Sequence, residues 1–172
     1  MNQVRPAAVA GMFYPRDAGE LQRQIAELID GVENFAPRFG HPKALIVPHA
    51  GYVYSGPVAA RAYDELAAAR GIVKRVVLLG PVHRVPVKGL ALPGAEAFDT
   101  PLGRVPVDAE AVQLLVAFRQ VVASPAAHAM EHALEVQLPF LQKMLGEFAL
   151  VPLAVGEARP QEVREVIERL WG

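Results

Sequence analysis

The fold is decided by one stretch: Ala44-Leu45-Ile46-Val47-Pro48-His49-Ala50-Gly51-Tyr52-Val53-Tyr54-Ser55-Gly56-Pro57. Its first four residues are apolar and are stopped by a proline, which predicts a short buried strand over residues 43–47. Pro57 predicts the start of a helix, because proline fits the first helical turn. His49 then follows the carboxyl end of a strand, where open α/β sheets bind their ligands.

A second apolar stretch, Arg75-Val76-Val77-Leu78-Leu79, predicts another buried strand, which leads into Gly80-Pro81-Val82-His83-Arg84. Strand, helix and strand have the spacing of a right-handed parallel crossover. Both strands then end at the same edge of the sheet. We therefore expect His49 and His83 to be neighbours, although 34 positions separate them.

The remaining pattern predicts a single α/β domain over residues 1–172. Further elements are expected as a helix over 17–30, a hairpin-like excursion beside the sheet over 85–107, a helix over 108–118, a strand over 120–123, a helix over 131–145 with a kink at Pro139, a strand over 148–155 and a helix over 162–171. The pattern stops after a helix, where a further strand is expected, which indicates an unfinished fold or a natural short form. An exposed sheet edge would result and would favour a homo-oligomer.

Composition excludes several classes of protein. The net charge is −1, which gives no electrostatic reason to bind nucleic acid or an anionic membrane surface. No apolar run approaches the roughly 20 residues that a membrane span needs. The sequence has no cysteine, which excludes disulfides, zinc ribbons and thiol catalysis. We expect a cytoplasmic protein, because no signal peptide is recognisable and a cysteine-free chain suits a reducing compartment.

His49 and His83 are the first candidates for chemistry. Imidazole is a good ligand for iron, copper and zinc, and two histidines at adjacent strand ends can share one metal ion. Such a site is usually completed by a carboxylate or a thiolate, with positions left open for substrate. The alternative is a pair of hydrogen-bonded loop histidines without a metal.

Glu131 and His132 are the candidate catalytic residues, close to His128 in the sequence. His132 titrates near neutral pH, which suits a general acid–base or an additional metal ligand. Both residues fall near the predicted helix start, where Glu131 gains from the helix dipole. The alternative is a capping carboxylate beside a surface histidine.

Tyr54, Ser55, Gly56 and Arg84 are candidate ligand-binding residues. Ser55 and Gly56 precede the helix predicted at Pro57, and the free N–H groups of a helix start can accept a carboxylate, a phosphate or an oxyanion. Arg84 can clamp an anion, and Tyr54 can wall a pocket or donate a hydrogen bond. The alternatives are an ordinary helix cap, a solvated arginine and aromatic packing.

Four motifs together resemble the Memo (mediator of cell motility) family, whose bacterial and archaeal members are called protein B of the AmmeMemoRadiSam system. They are Ala10–Pro15, Pro48–Gly56, Leu79–His83 and Glu131–Phe140. The resemblance implies a three-layer α/β fold with a mainly parallel or mixed central sheet, related to the class III extradiol dioxygenases that use non-haem iron. It also implies His49 and His83 as ligands of iron or copper. It assigns no substrate, and animal members bind a phosphopeptide-bearing signalling partner.

Two departures from the family pattern bear on function. Val82-His83-Arg84 stands where the family usually has Ser-His-His, and the cysteine that the family uses as third ligand is missing. Three hypotheses follow. The chain is a metal-dependent, dioxygenase-like enzyme; or it is a binding or scaffold protein that captures an anionic small molecule or a phosphopeptide; or it is a remnant whose main property is assembly.

Overall fold

The structure is a computed structural model that describes residues 3–32 and 42–171. The helices of these residues are α1 (Ala18–Asp30), α2 (Tyr52–Asp64), α3 (Ala109–Leu115), α4 (Pro125–Ala129), α5 (Leu138–Leu145) and α6 (Pro160–Leu170). The strands are β1 (Val4–Arg5), β2 (Arg75–Pro81), β3 (Leu90–Leu92), β4 (Ala97–Thr100), β5 (Gly103–Pro106), β6 (Val121–Ala123) and β7 (Ala149–Val155). Short 3₁₀ turns lie at Ala67–Ala69 and Glu135–Gln137.

The central sheet has four strands in the order β2-β7-β3-β6. The β2–β7 and β3–β6 pairs are parallel, whereas β3 and β7 are antiparallel, so the sheet is mixed. A smaller sheet has the order β1-β4-β5, in which β4 and β5 form an antiparallel hairpin. The α/β class and the mixed central sheet predicted from the sequence are confirmed.

Alternation along β2 shows how the layers form, because successive side chains of a strand point to opposite faces. Val76 and Leu78 pack against the core that contains residues of α1, α2 and α5. Val77 and Leu79 pack on the other face, against the core that contains residues of α3 and α6. Helices therefore cover both faces of the sheet, as the predicted three-layer architecture requires.

The predicted strand over 43–47 is wrong. Residues 44–49 belong to no helix or strand, and the sheet partner of β2 is β7. The segment keeps the alternation of a strand, since Leu45 and Val47 are half-buried against the core while the side chain of Ile46 is fully exposed. Apolar sequence favours an extended chain, but a strand also needs a hydrogen-bonded neighbour.

The predicted helix starts also need correction. Helix α2 begins at Tyr52 after Gly51, so Pro57 lies inside it rather than at its start. The helix predicted from residue 131 is interrupted, because a turn and the 3₁₀ segment Glu135–Gln137 precede α5. Pro139 therefore occupies the first turn of α5, where proline is tolerated, and produces no kink there.

The excursion predicted over 85–107 is partly wrong. It contains three strands, as the alternating short apolar runs indicated, but β3 lies inside the central sheet between β7 and β6. Only β4 and β5 form the hairpin beside it. No helix among the described residues has the length and apolar character to cross a membrane.

A buried ion pair joins the amino-terminal segment to the interior. Arg5 Nη1 donates to Glu135 Oε2 over 2.6 Å, and both side chains are almost fully buried. The Glu135 carboxylate also accepts the N–H groups of Ala8 and Val9 and the hydroxyl of Tyr14. Arg5 makes three more bonds to carbonyl groups, from Nε to His128, from Nη2 to Glu131 and from Nη1 to Pro6. Every polar group of the pair is thereby satisfied.

We predict that Glu135→Gln lowers the free energy of unfolding by about 3–5 kcal/mol, because it leaves the Arg5 guanidinium buried without its counter-charge. Chemical denaturation monitored by circular dichroism measures this change. Glu147→Gln, at an exposed position before β7, is the matched control and should unfold as the wild type does. Equal stabilities of the two variants would contradict a structural role for the pair.

Candidate metal centre

Three histidines converge at one end of the central sheet. The imidazole centroids are 5.3 Å apart for His49 and His83, 5.8 Å for His49 and His132, and 4.4 Å for His83 and His132. One potential ligand atom from each ring lies within 4.8 Å of the others, which is close enough for the three rings to hold one metal ion. The predicted proximity of His49 and His83 is confirmed, and His132 joins them.

Three different segments carry these rings. His83 follows the carboxyl end of β2 by two residues, as its position in the sequence indicated. His132 lies in the irregular connection between α4 and the 3₁₀ segment Glu135–Gln137. His49 lies in the irregular segment that precedes α2, so it reaches the cluster without the strand that was expected to deliver it.

Glu131 ties two of the rings together. Its Oε1 lies 2.9 Å from Nδ1 of His83 and 3.3 Å from Nδ1 of His132, and it accepts the N–H of Ala133. Its Oε2 accepts the backbone N–H of His83 over 2.6 Å. A carboxylate at Nδ1 favours the tautomer that carries a proton on that nitrogen, which leaves Nε2 as the free ligand atom. Glu131 therefore contacts Nδ1 of both rings, which leaves their Nε2 atoms free to bind a metal ion.

The protonation of Glu131 agrees with this role. Burial alone would raise its pKa, but the hydrogen bonds from Ala133 and His83, together with the charge on His83, outweigh burial and lower the pKa below the usual range. The carboxylate is ionised at neutral pH, and its side chain is 1% exposed. This environment suits a positioning group, whereas the catalytic role expected of Glu131 remains a prediction.

The environment of His132 keeps its ring neutral. Burial lowers its pKa; the Glu131 carboxylate acts in the opposite direction, and the charges of His83, His49 and Arg84 lower the pKa further. The net effect is a pKa below the usual range of histidine. A neutral imidazole can bind a metal, whereas a protonated one cannot.

Phe13 covers one side of the cluster. Its ring lies against the His132 ring with a centroid distance of 4.5 Å. The carbonyl of Phe13 accepts the N–H of Tyr52 at the start of α2, which fixes this wall to the helix that follows His49. Sequence reasoning did not assign Phe13 to the site, because an aromatic residue in an amino-terminal segment carries no signal for contact with a distant histidine.

The structure separates the predicted ligand-binding residues. Arg84 and Tyr54 are exposed, and Arg84 is close enough for its charge to affect His132. Ser55 and Gly56 are buried within α2 and do not form its first turn, since the helix starts three residues earlier than Ser55. The Ser55 hydroxyl donates to the carbonyl of Ala50, and Gly56 packs against Leu28. The helix start expected at Pro57 is therefore wrong, and a role of Ser55 and Gly56 in binding an anion remains a prediction.

Gln137 is a second residue that sequence reasoning missed. It is 3% exposed and its Nε2 donates to the carbonyl of Pro48, next to His49, over 3.0 Å. The sequence places it inside a continuous helix over 131–145, where a glutamine carries no special meaning. The interruption of that helix is what turns its amide toward the segment before α2.

Comparison with known proteins identifies the family that this sequence matches. The sequence model of the family described as "Memo-like protein" matches residues 5–171. A "MEMO1 family protein" of Ignicoccus hospitalis is 42% identical over 183 residues, covering 97% of this chain and 64% of the relative. Those of Thermotoga neapolitana and Aquifex aeolicus are 40% and 41% identical and cover 91% and 89% of this chain. The chain spans 60% and 55% of the lengths of these last two.

We predict that His132 titrates below pH 6.5 in the folded protein and that Glu131→Gln lowers its pKa further. The carboxylate is the group that raises this pKa, so removing its charge makes the protonated ring less stable. Histidine ring signals followed by NMR between pH 4 and 8 measure both values, and Glu147→Gln is the control. A pKa that rises in Glu131→Gln would contradict the electrostatic account.

Proposed function

The chain belongs to the Memo-like protein family, and we propose that His49, His83 and His132 bind a metal ion at the centre of its functional site. The observation that carries this proposal is the convergence of three imidazoles from three separate segments within 4.8 Å. The contact of one buried carboxylate with the His83 and His132 rings supports it, because metal-binding histidines almost always donate their other ring N–H to such a partner.

The donor set fits the metals that the family resemblance implies. Iron, copper and zinc all accept imidazole nitrogen, and a set of three histidines leaves coordination positions for a substrate. His132 supplies the third imidazole of this set. A bound metal would supply Lewis-acid chemistry and, with iron or copper, electron transfer to or from a bound substrate.

The residues around the rings have separate tasks in this proposal. Glu131 holds the proton on Nδ1 of His83 and orients the His132 ring, so that the Nε2 atoms of both rings are available to a metal ion. Phe13 excludes water from one side of His132. Arg84 is exposed beside the cluster, and its positive charge favours anionic substrates over cationic ones. A metal-dependent, dioxygenase-like oxidoreductase of unassigned substrate is the function that this arrangement supports best.

We predict that protein purified without an affinity tag binds one Co²⁺ or Zn²⁺ ion per chain, measured by calorimetry and by the visible absorption of Co²⁺. His49→Gln, His83→Gln and His132→Gln should each weaken binding strongly, because each removes one of three ligands. Glu131→Gln should weaken it by about 10- to 100-fold, the usual effect of losing a carboxylate that orients ligands.

The matched control for this experiment is His128→Gln. His128 is buried and its Nε2 lies 2.8 Å from the carbonyl of Ala91, to which a glutamine amide can also donate. It is not one of the three clustered rings. Binding that survives all three cluster substitutions, or that is lost equally in His128→Gln, would overturn the proposed metal centre.

Anion capture without turnover is the second candidate function, and it rests on the exposed Arg84 beside the cluster. It predicts saturable binding of inorganic phosphate or of a phosphopeptide to metal-free protein, with a large loss of affinity in Arg84→Gln. Calorimetric titration with Arg119→Gln as the control measures this. Phosphate binding that is absent, or unchanged in Arg84→Gln, would exclude this candidate.

A further inference from the structure

His49 is held in place differently from the other two candidate ligands, His83 and His132. His83 follows a strand and is held by Glu131 through both its backbone N–H and its ring, and His132 adjoins Glu131 in sequence. His49 lies in a segment that belongs to no helix or strand. A loop ligand must be ordered before it can contribute to a preorganised metal site, and ordering costs entropy.

We propose that Gln137 and Ser55 form a clamp on the two carbonyl groups that flank His49, and that this clamp positions the His49 ring. This inference rests on the proposed metal centre only for its functional consequence. The clamp itself is a set of hydrogen bonds in the metal-free protein. Gln137 and Ser55 are positioning residues, since they act on the ring through the backbone of its neighbours.

The first half of the clamp is the Gln137 amide. Nε2 donates to the carbonyl of Pro48 over 3.0 Å, immediately before His49. The other end of the amide is fixed as well, because Oε1 accepts the hydroxyl of Tyr63 in α2 over 2.8 Å. With the side chain 3% exposed, water cannot easily replace either bond.

The second half is the Ser55 hydroxyl. It donates to the carbonyl of Ala50 over 3.0 Å, immediately after His49. Ser55 is 8% exposed and lies in α2, so it is held by the helix. The backbone of His49 is thereby fixed on both sides by buried side chains that come from two different elements.

The clamp also links the ligands to one another. Gln137 ends the 3₁₀ segment that follows His132, and its amide lies 3.5 Å from the carbonyl of Ala133. The same short stretch of chain therefore carries His132 as a ligand, Glu131 as the support of His83, and Gln137 as the support of His49. A change in that stretch would act on all three rings.

The first experiment needs no metal. Histidine-labelled protein is compared by NMR as wild type, Gln137→Met, Ser55→Ala and the double variant, with ring signals assigned from the histidine substitutions. We expect the His49 ring to become more mobile in each single variant and most mobile in the double variant, while the His83 ring keeps its wild-type relaxation because Glu131 still holds it. Gln142→Met is the matched control, since Gln142 also bonds a carbonyl, that of Gly103, outside the cluster.

The second experiment measures the Co²⁺ dissociation constant of the same proteins. Gln137→Met should raise it about tenfold, as losing a group that orients a ligand usually does, and Gln142→Met should leave it unchanged. If the wild type binds no Co²⁺, the proposed metal centre fails, and the ring dynamics still decide whether the clamp exists.

The clamp is overturned if the His49 ring relaxes as in the wild type in the double variant, or if His49 and His83 loosen together, which would show a general loss of structure. Ser55→Ala removes one hydroxyl and keeps the test available if Gln137→Met fails to fold. An unchanged Co²⁺ dissociation constant beside a mobile His49 ring would overturn the functional consequence and keep the clamp.

Discussion

The buried carboxylate of Glu135 is the constraint on which the rest of this structure depends. It accepts bonds from Arg5, from Tyr14 and from two backbone N–H groups of the amino-terminal segment. A carboxylate with no exposure cannot be left unpaired without a large cost in free energy. Its partners therefore fix where the amino-terminal segment lies, and this segment carries Phe13 to the wall of the candidate metal centre.

Arg5 extends the same constraint to the site. The guanidinium that neutralises Glu135 also donates to the carbonyls of His128 and Glu131. The chain from His128 to Gln137 contains no complete α-helix after α4, so its backbone groups need partners from elsewhere. Arg5 supplies two of them. An irregular segment can then hold Glu131, His132 and Gln137 in fixed positions, which a continuous helix would have pointed in other directions.

Sequence reasoning predicted the meeting of His49 and His83 correctly, but only half of its reasoning holds. The strand before His83 exists, because Val76 to Leu79 can be buried on both faces between two layers of helices. The stretch Ala44–Val47 is equally apolar, yet it forms no strand, since hydrogen bonding to a neighbouring strand cannot be read from the residues of one segment. The proximity survives because side-chain packing of Leu45 and Val47 places the segment beside the same core.

The site residues that the sequence missed are those whose role depends on contacts far along the chain. Gln137 and Pro48 are 89 positions apart, and no local pattern reports such a pair.

The three clustered histidines are held in place in two different ways. Glu131 makes His83 and His132 a rigid pair, because one buried carboxylate contacts both rings. In the proposed clamp His49 is ordered differently, through the carbonyls of Pro48 and Ala50 on either side of it. The strength of a metal site depends on how much ordering remains to be done when the metal binds. In the proposed metal centre this cost falls on His49, because its ring belongs to a segment outside any helix or strand and is not held by Glu131 as the His83 ring is.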